Sequence, residues 1–106
     1  MYEIKRSERE INGETVETWV AEMVSANMLE VEAGTTGYCG GDTGHGGRTY
    51  FRLKDLASTD MKANVVANQY GDAEEVTIEF GGDCELSIFI ESLEFALKVL
   101  KEQSRE

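Results

Sequence analysis

Apolar and polar residues alternate along most of this chain and give way, in its last quarter, to a helical rhythm. Glu3 to Ile11 and Glu14 to Met23 flank Asn12-Gly13, the dipeptide that best tolerates positive φ at both centres of a tight reversal. This pattern predicts an N-terminal β-hairpin. Val16, Trp19, Val20, Met23 and Val24 also fit helical spacing, so the second arm has a competing reading as a helix, with strand preferred. Leu29, Val31 and Ala33 then alternate with Glu30 and Glu32, a period of two that predicts a half-buried strand with its acids on one face and its apolar groups on the other.

The same period returns three times. Phe51 and Leu53 alternate with Arg52 and Lys54, and Met61, Ala63, Val65 and Ala67 with Lys62 and Asn64. After a segment of turn composition, Gln69-Tyr70-Gly71-Asp72, come Val76, Ile78 and Phe80 between Thr77 and Glu79, stopped by Gly81-Gly82. Each is expected to be a strand whose apolar row faces a core.

From Asp83 to about Gln103 the period changes to that of a helix. Leu86, Ile90, Leu93, Leu97 and Leu100 recur at spacings of four and three, with Phe89 and Ala96 widening the stripe. The stripe is expected to lie on the sheet, touching Val76, Ile78 and Phe80, with Trp19 largely buried and Leu93 and Leu97 at the centre of the contact. Asp83 is placed to cap the first turn beside Glu85, and Lys98, Lys101 and Arg105 gather at the other end, as the helix dipole favours. The expected fold is therefore α+β: a single domain over residues 1–106, with an antiparallel sheet of about five strands and one C-terminal amphipathic helix across it.

Between the third and fourth strands lies TTGYCGGDTGHGGRTYF, residues 35–51, with six of the eleven glycines, the only histidine and one of the two cysteines. A tight reversal needs two to five residues, so this connection is long. Its glycines lose unusual conformational freedom on folding, which is offset where the backbone needs positive φ or close approach. At least two of Gly40, Gly41, Gly46 and Gly47 are expected at positive φ.

Three readings of the stretch stay open. It is a folded loop whose polar side chains satisfy their own backbone, or an anion-binding nest completed by Arg48, or a chemical site built on Cys39, Asp42 and His45. The nest matches neither G-x-x-x-x-G-K-[ST] nor G-x-G-x-x-G. Zinc would want a fourth group such as Asp83 or Cys84, and the paired spacings of structural zinc sites are missing. Thiol chemistry would need Cys39 beside an imidazole or a helix N-terminus. The residues singled out for partner or ligand binding are Tyr38, Cys39, Asp42, His45, Arg48 and Tyr50. No catalytic residue, metal or cofactor is assigned.

Charge narrows the function classes. With 21 acidic and 10 basic residues the formal net charge is -11 at pH 7, which disfavours direct contact with nucleic-acid backbones or anionic membranes. No apolar run approaches the roughly 18 residues of a membrane span, and two distant cysteines, Cys39 and Cys84, do not make a disulfide framework. A cytoplasmic protein without a signal peptide, its thiols reduced, is expected.

The strings LEVEAGTTGYCGGDTGHGGRTYFRLKDL (29–56), TDM (59–61) and GGDCELSIFIESLEFALKVLKEQ (81–103) resemble a group of small uncharacterised proteins of Firmicutes and their mobile elements. The resemblance covers most of the chain from Leu29 onward and implies a bacterial origin, with no activity attached.

The sequence favours a non-catalytic binding or accessory protein that presents the 35–50 loop to a protein partner or a small anionic ligand. One alternative is an acidic phage-type inhibitor that mimics nucleic acid on a host defence protein. It requires Glu14, Glu17, Glu30, Glu32, Glu74, Glu75 and Glu79 to share one face. Another is a small metal- or Cys-dependent enzyme using Cys39, Asp42 and His45. A sheet covered by one helix also leaves a face or an edge available for a homodimer.

Overall fold

The computed structural model describes residues 3–41 and 45–105. Among these, six strands and one helix follow in the order β1 (Ile4–Ile11), β2 (Glu14–Val24), β3 (Met28–Thr35), β4 (Thr49–Ala57), β5 (Met61–Ala67), β6 (Ala73–Phe80) and α1 (Asp83–Gln103). The first four form one antiparallel sheet in chain order, while β5 and β6 pair only with each other. The α+β architecture holds, with six strands in two sheets where the pattern of alternation predicts about five in one.

Asn12 and Gly13 adopt φ of 49° and 81°, the conformation that closes β1 onto β2. Residues 14–24 are therefore strand, and their competing helical spacing is overridden by pairing on both sides. Register aligns Trp19 with Ala33 and Phe51, and Ala21 with Val31 and Leu53, so these residues share one face of the sheet. Helix α1 packs on that face, chiefly over β3 and β2. Ala21, Met23, Leu29, Val31 and Ala33 meet Ile88, Phe95, Ala96 and Val99 there.

The helix is turned away from the orientation the stripe suggested. Its buried residues are Glu85, Ile88, Ser92, Phe95, Ala96 and Val99, whereas Leu86, Ile90, Leu93 and Leu97 stand exposed. Small Ser92 and Ala96 let the helix axis approach the sheet, and the Ser92 hydroxyl donates to the Ile88 carbonyl at 2.7 Å, so its burial leaves no polar atom unpaired. Asp83 is the first helical residue and not the cap, a position taken by Gly82 without a side-chain bond. At this end the Glu85 carboxylate accepts the Asp60 backbone N–H at 3.1 Å, which holds its pKa below the ordinary value.

The β5–β6 hairpin also departs from expectation. Met61 and Phe80 at its base pack against the core, and Phe80 stacks on Phe89 with ring centroids 4.5 Å apart. Beyond them Val65, Val76 and Ile78 are exposed. Their alternation marks a strand face correctly, but no second layer covers it.

Candidate functional site

The glycine stretch begins as an extension of the β3–β4 ladder. The Thr36 N–H donates to the Arg48 carbonyl at 2.9 Å, and the Arg48 N–H donates to Thr36 Oγ1 at 2.8 Å. Gly47 passes so close to Gly37 that a Cβ there would overlap the Gly37 carbonyl oxygen, which explains glycine at that position. Of the four glycines expected to supply positive φ, only Gly40 does so, at 70°, joined by Gly37 at 86°. Close approach, rather than φ, accounts for Gly47.

The candidate residues divide between two regions. Tyr38 projects into solvent with 84% of its surface exposed, and Cys39 and His45 are exposed beside it. The Cys39 thiol lies 3.6 Å from the Gly37 carbonyl, 3.8 Å from the Thr36 hydroxyl and 3.9 Å from the Thr36 carbonyl, so its polar neighbours are two carbonyls and a hydroxyl. Asp42 lies outside the described residues. No group of three His, Cys, Asp or Glu side chains converges on a metal position among the described residues.

Arg48 turns inward and is only 8% exposed. Its Nη1 donates to the Gly46 carbonyl at 2.7 Å and its Nε lies 3.9 Å from Glu14 Oε2, which makes it a brace between the loop and β2. Tyr50 lies under the Arg9 guanidinium at 5.1 Å. Both belong to the sheet face remote from α1.

That remote face holds a network of two arginines and two glutamates. The Glu32 side chain is fully buried and accepts hydrogen bonds from Arg9 at 2.8 and 2.6 Å, from Thr18 Oγ1 at 2.6 Å and from Arg52 at 3.0 Å. Hydrogen bonding from Arg9 holds the Glu32 carboxyl down to about 2, against the desolvation that would raise it. Arg52 extends the network to Glu30 at 2.5 Å. The acidic face expected on β3 is thus a part-buried ion network around a fully buried Glu32, legible in sequence only as the alternation of Glu30 and Glu32 with the cognate Arg9 and Arg52 left unpaired.

Gln103, unremarked in the sequence, clamps the last turn of α1 to the sheet. Its Oε1 accepts the Thr35 N–H at 2.8 Å and its Nε2 donates to the Glu17 carbonyl at 2.9 Å. A recess opens on either side of this clamp. The smaller, about 350 Å³, lies between Leu100, Ser104 and the loop residues Gly37, Tyr38 and Gly47.

The larger, about 530 Å³, runs between α1 and the β1–β2 side of the sheet, with Ile4, Trp19, Phe95 and Val99 as its apolar part. Glu91, Glu94, Glu102 and Lys98 rim it, three carboxylates against one ammonium. Trp19, assigned to the core from sequence, is only partly buried because it forms one wall of this groove. Comparison with protein-family models, with curated proteins and with solved structures returned no match.

Proposed function

We propose that this chain is a small acidic, non-catalytic binding protein that seats an apolar, basic segment of a protein partner in the groove between α1 and β1–β2. The observation that carries this reading is the pairing of an aromatic-walled groove with a rim of three glutamates and one lysine. A large indole and a neighbouring phenyl provide apolar contact area suited to an anchor side chain, while the rim favours a cationic partner and opposes an anion. Exposed Tyr38 stands across the Gln103 clamp from the groove and gives the glycine loop a place at the margin of the same binding surface.

Nucleic-acid mimicry draws less support. Glu32 is buried, Glu30 is tied to Arg52 and Glu17 lies 3.4 Å from Arg6. Register puts Glu17 on the opposite side of the sheet from Glu30 and Glu32, so the seven acids do not share one face.

The groove contains the only tryptophan, which makes indole fluorescence a direct reporter. Titration with a synthetic amphipathic Leu/Lys peptide is expected to give a saturable shift in Trp19 emission, with little response to a Leu/Glu peptide. Glu94→Lys with Glu102→Lys is expected to weaken binding at least tenfold, while the same charge change at Glu74 and Glu75 on the hairpin has a much smaller effect. Equal loss in both double variants, or no saturation with the Leu/Lys peptide, refutes the groove as the binding site.

A further inference from the structure

Helix α1 presents three sides. One is buried on β2 and β3, a second borders the groove, and a third carries Leu86, Ile90, Leu93 and Leu97, each between 46 and 57% exposed. At 3.6 residues per turn these four fall within about 60° of the helix circumference, with no charged residue among them. The Phe80–Phe89 contact joins this stripe to the outward row Val65, Val76 and Ile78 on the hairpin. Together these seven side chains expose on the order of 600 Å² of apolar surface, at the upper end of the ~300–600 Å² of the largest patch on a typical monomer and three quarters of the ~800 Å² each partner contributes to a standard interface.

The geometry points to a second copy of this chain as the occupant, its α1 antiparallel to the first across the leucine stripe. Charge placement selects the copy and its direction. Asp83 and Lys101, at opposite ends of α1, are about five full turns apart and so lie on one side of the helix, beside the stripe. The midpoint between them falls at the level of Ser92, and the midpoint of Leu86 and Leu97 falls within half a residue of it. An antiparallel pair centred there sets Leu86 against the partner's Leu97, Ile90 against the partner's Leu93 and Lys101 against the partner's Asp83. By two-fold symmetry each contact occurs twice. Parallel packing would instead bring Lys101 to Lys101 and Asp83 to Asp83. The net charge of -11 on each copy opposes association at long range but is screened beyond about 8 to 10 Å at moderate salt.

Sedimentation velocity over a dilution series tests this. The parent chain is expected to sediment as a dimer that dissociates on dilution, and Leu93→Glu as a monomer with unchanged far-UV circular dichroism, since that side chain takes no part in the core. Should Leu93→Glu fold poorly, Leu97→Gln serves the same purpose. At low salt Lys101→Glu is expected to weaken the dimer roughly tenfold relative to Lys98→Glu, which changes the charge equally on the groove side. Combining Lys101→Glu with Asp83→Lys should restore it. A parent chain that stays monomeric at 11.8 kDa throughout, or a dimer unaffected by the stripe substitutions, overturns the proposal. Failure of the charge exchange to recover association overturns the antiparallel pairing. Because the stripe and the groove are different sides of α1, this outcome is separate from that of the peptide titration.

Discussion

Burying a carboxylate is unfavourable unless charged or polar partners replace its water, and Glu32 meets that demand with two guanidinium groups and a hydroxyl. Its pKa falls from 4.5 to about 2, so the folded state binds this proton less readily than the unfolded state. The stability from this linkage is present above about pH 4.5 and is lost as pH falls toward 2. It amounts to on the order of 3 kcal/mol. Urea unfolding of the parent and of Glu32→Gln is therefore expected to differ most at pH 6 and to converge as pH approaches 2. A constant difference across that range contradicts the linkage. Arg48 makes a second expectation at this scale. Its burial and its bond to Gly46 mean that Arg48→Ala should cost about 1 to 3 kcal/mol through the orphaned acceptors, whereas Tyr38→Ala should leave the melting temperature nearly unchanged.

At the scale of elements, α1 shows why a strong apolar period does not fix which side faces the core. The chain carries two adjoining apolar arcs, one of large leucines and one of Ile88, Phe95, Ala96 and Val99 interrupted by Ser92. Periodicity favours the first because it is more hydrophobic. Packing takes the second, where small Ser92 and Ala96 permit close contact with β3. Ile88→Ala or Phe95→Ala is expected to cost about 2 to 5 kcal/mol in thermal or urea unfolding. Leu97→Ala opens no internal cavity, and its effect should grow with protein concentration as the dimer contributes to stability. A concentration-independent loss of core magnitude in Leu97→Ala would mean that the stripe is internal. The hairpins were more legible than the helix facing: Asn12-Gly13 and the Gln69–Asp72 turn stand where the composition put them, because turn geometry is a local demand.

For the whole molecule, charge and shape pull the reading in different directions. The sequence shows an excess of eleven negative charges but not where they act. The fold engages the acids Glu30, Glu32, Glu14 and Glu17 with arginines, which leaves the net charge unchanged, and places further acids at the groove rim. The molecule measures 42 × 35 × 19 Å, a thin body in which one helix packs on a four-stranded sheet beside a separate two-stranded hairpin, too little to cover every apolar face its strands and helix carry. Strand alternation, the reversal at Asn12-Gly13 and the existence of α1 were set by the sequence alone, because each depends on residues near one another in the chain. Which side of α1 met the sheet, that β5 and β6 stood apart from the other four strands, that Arg48 became a brace and that Trp19 walled a groove were decided only by tertiary structure. Each of those outcomes depends on how closely surfaces remote in sequence can approach and on which buried charges find partners across strands, quantities that no local pattern contains.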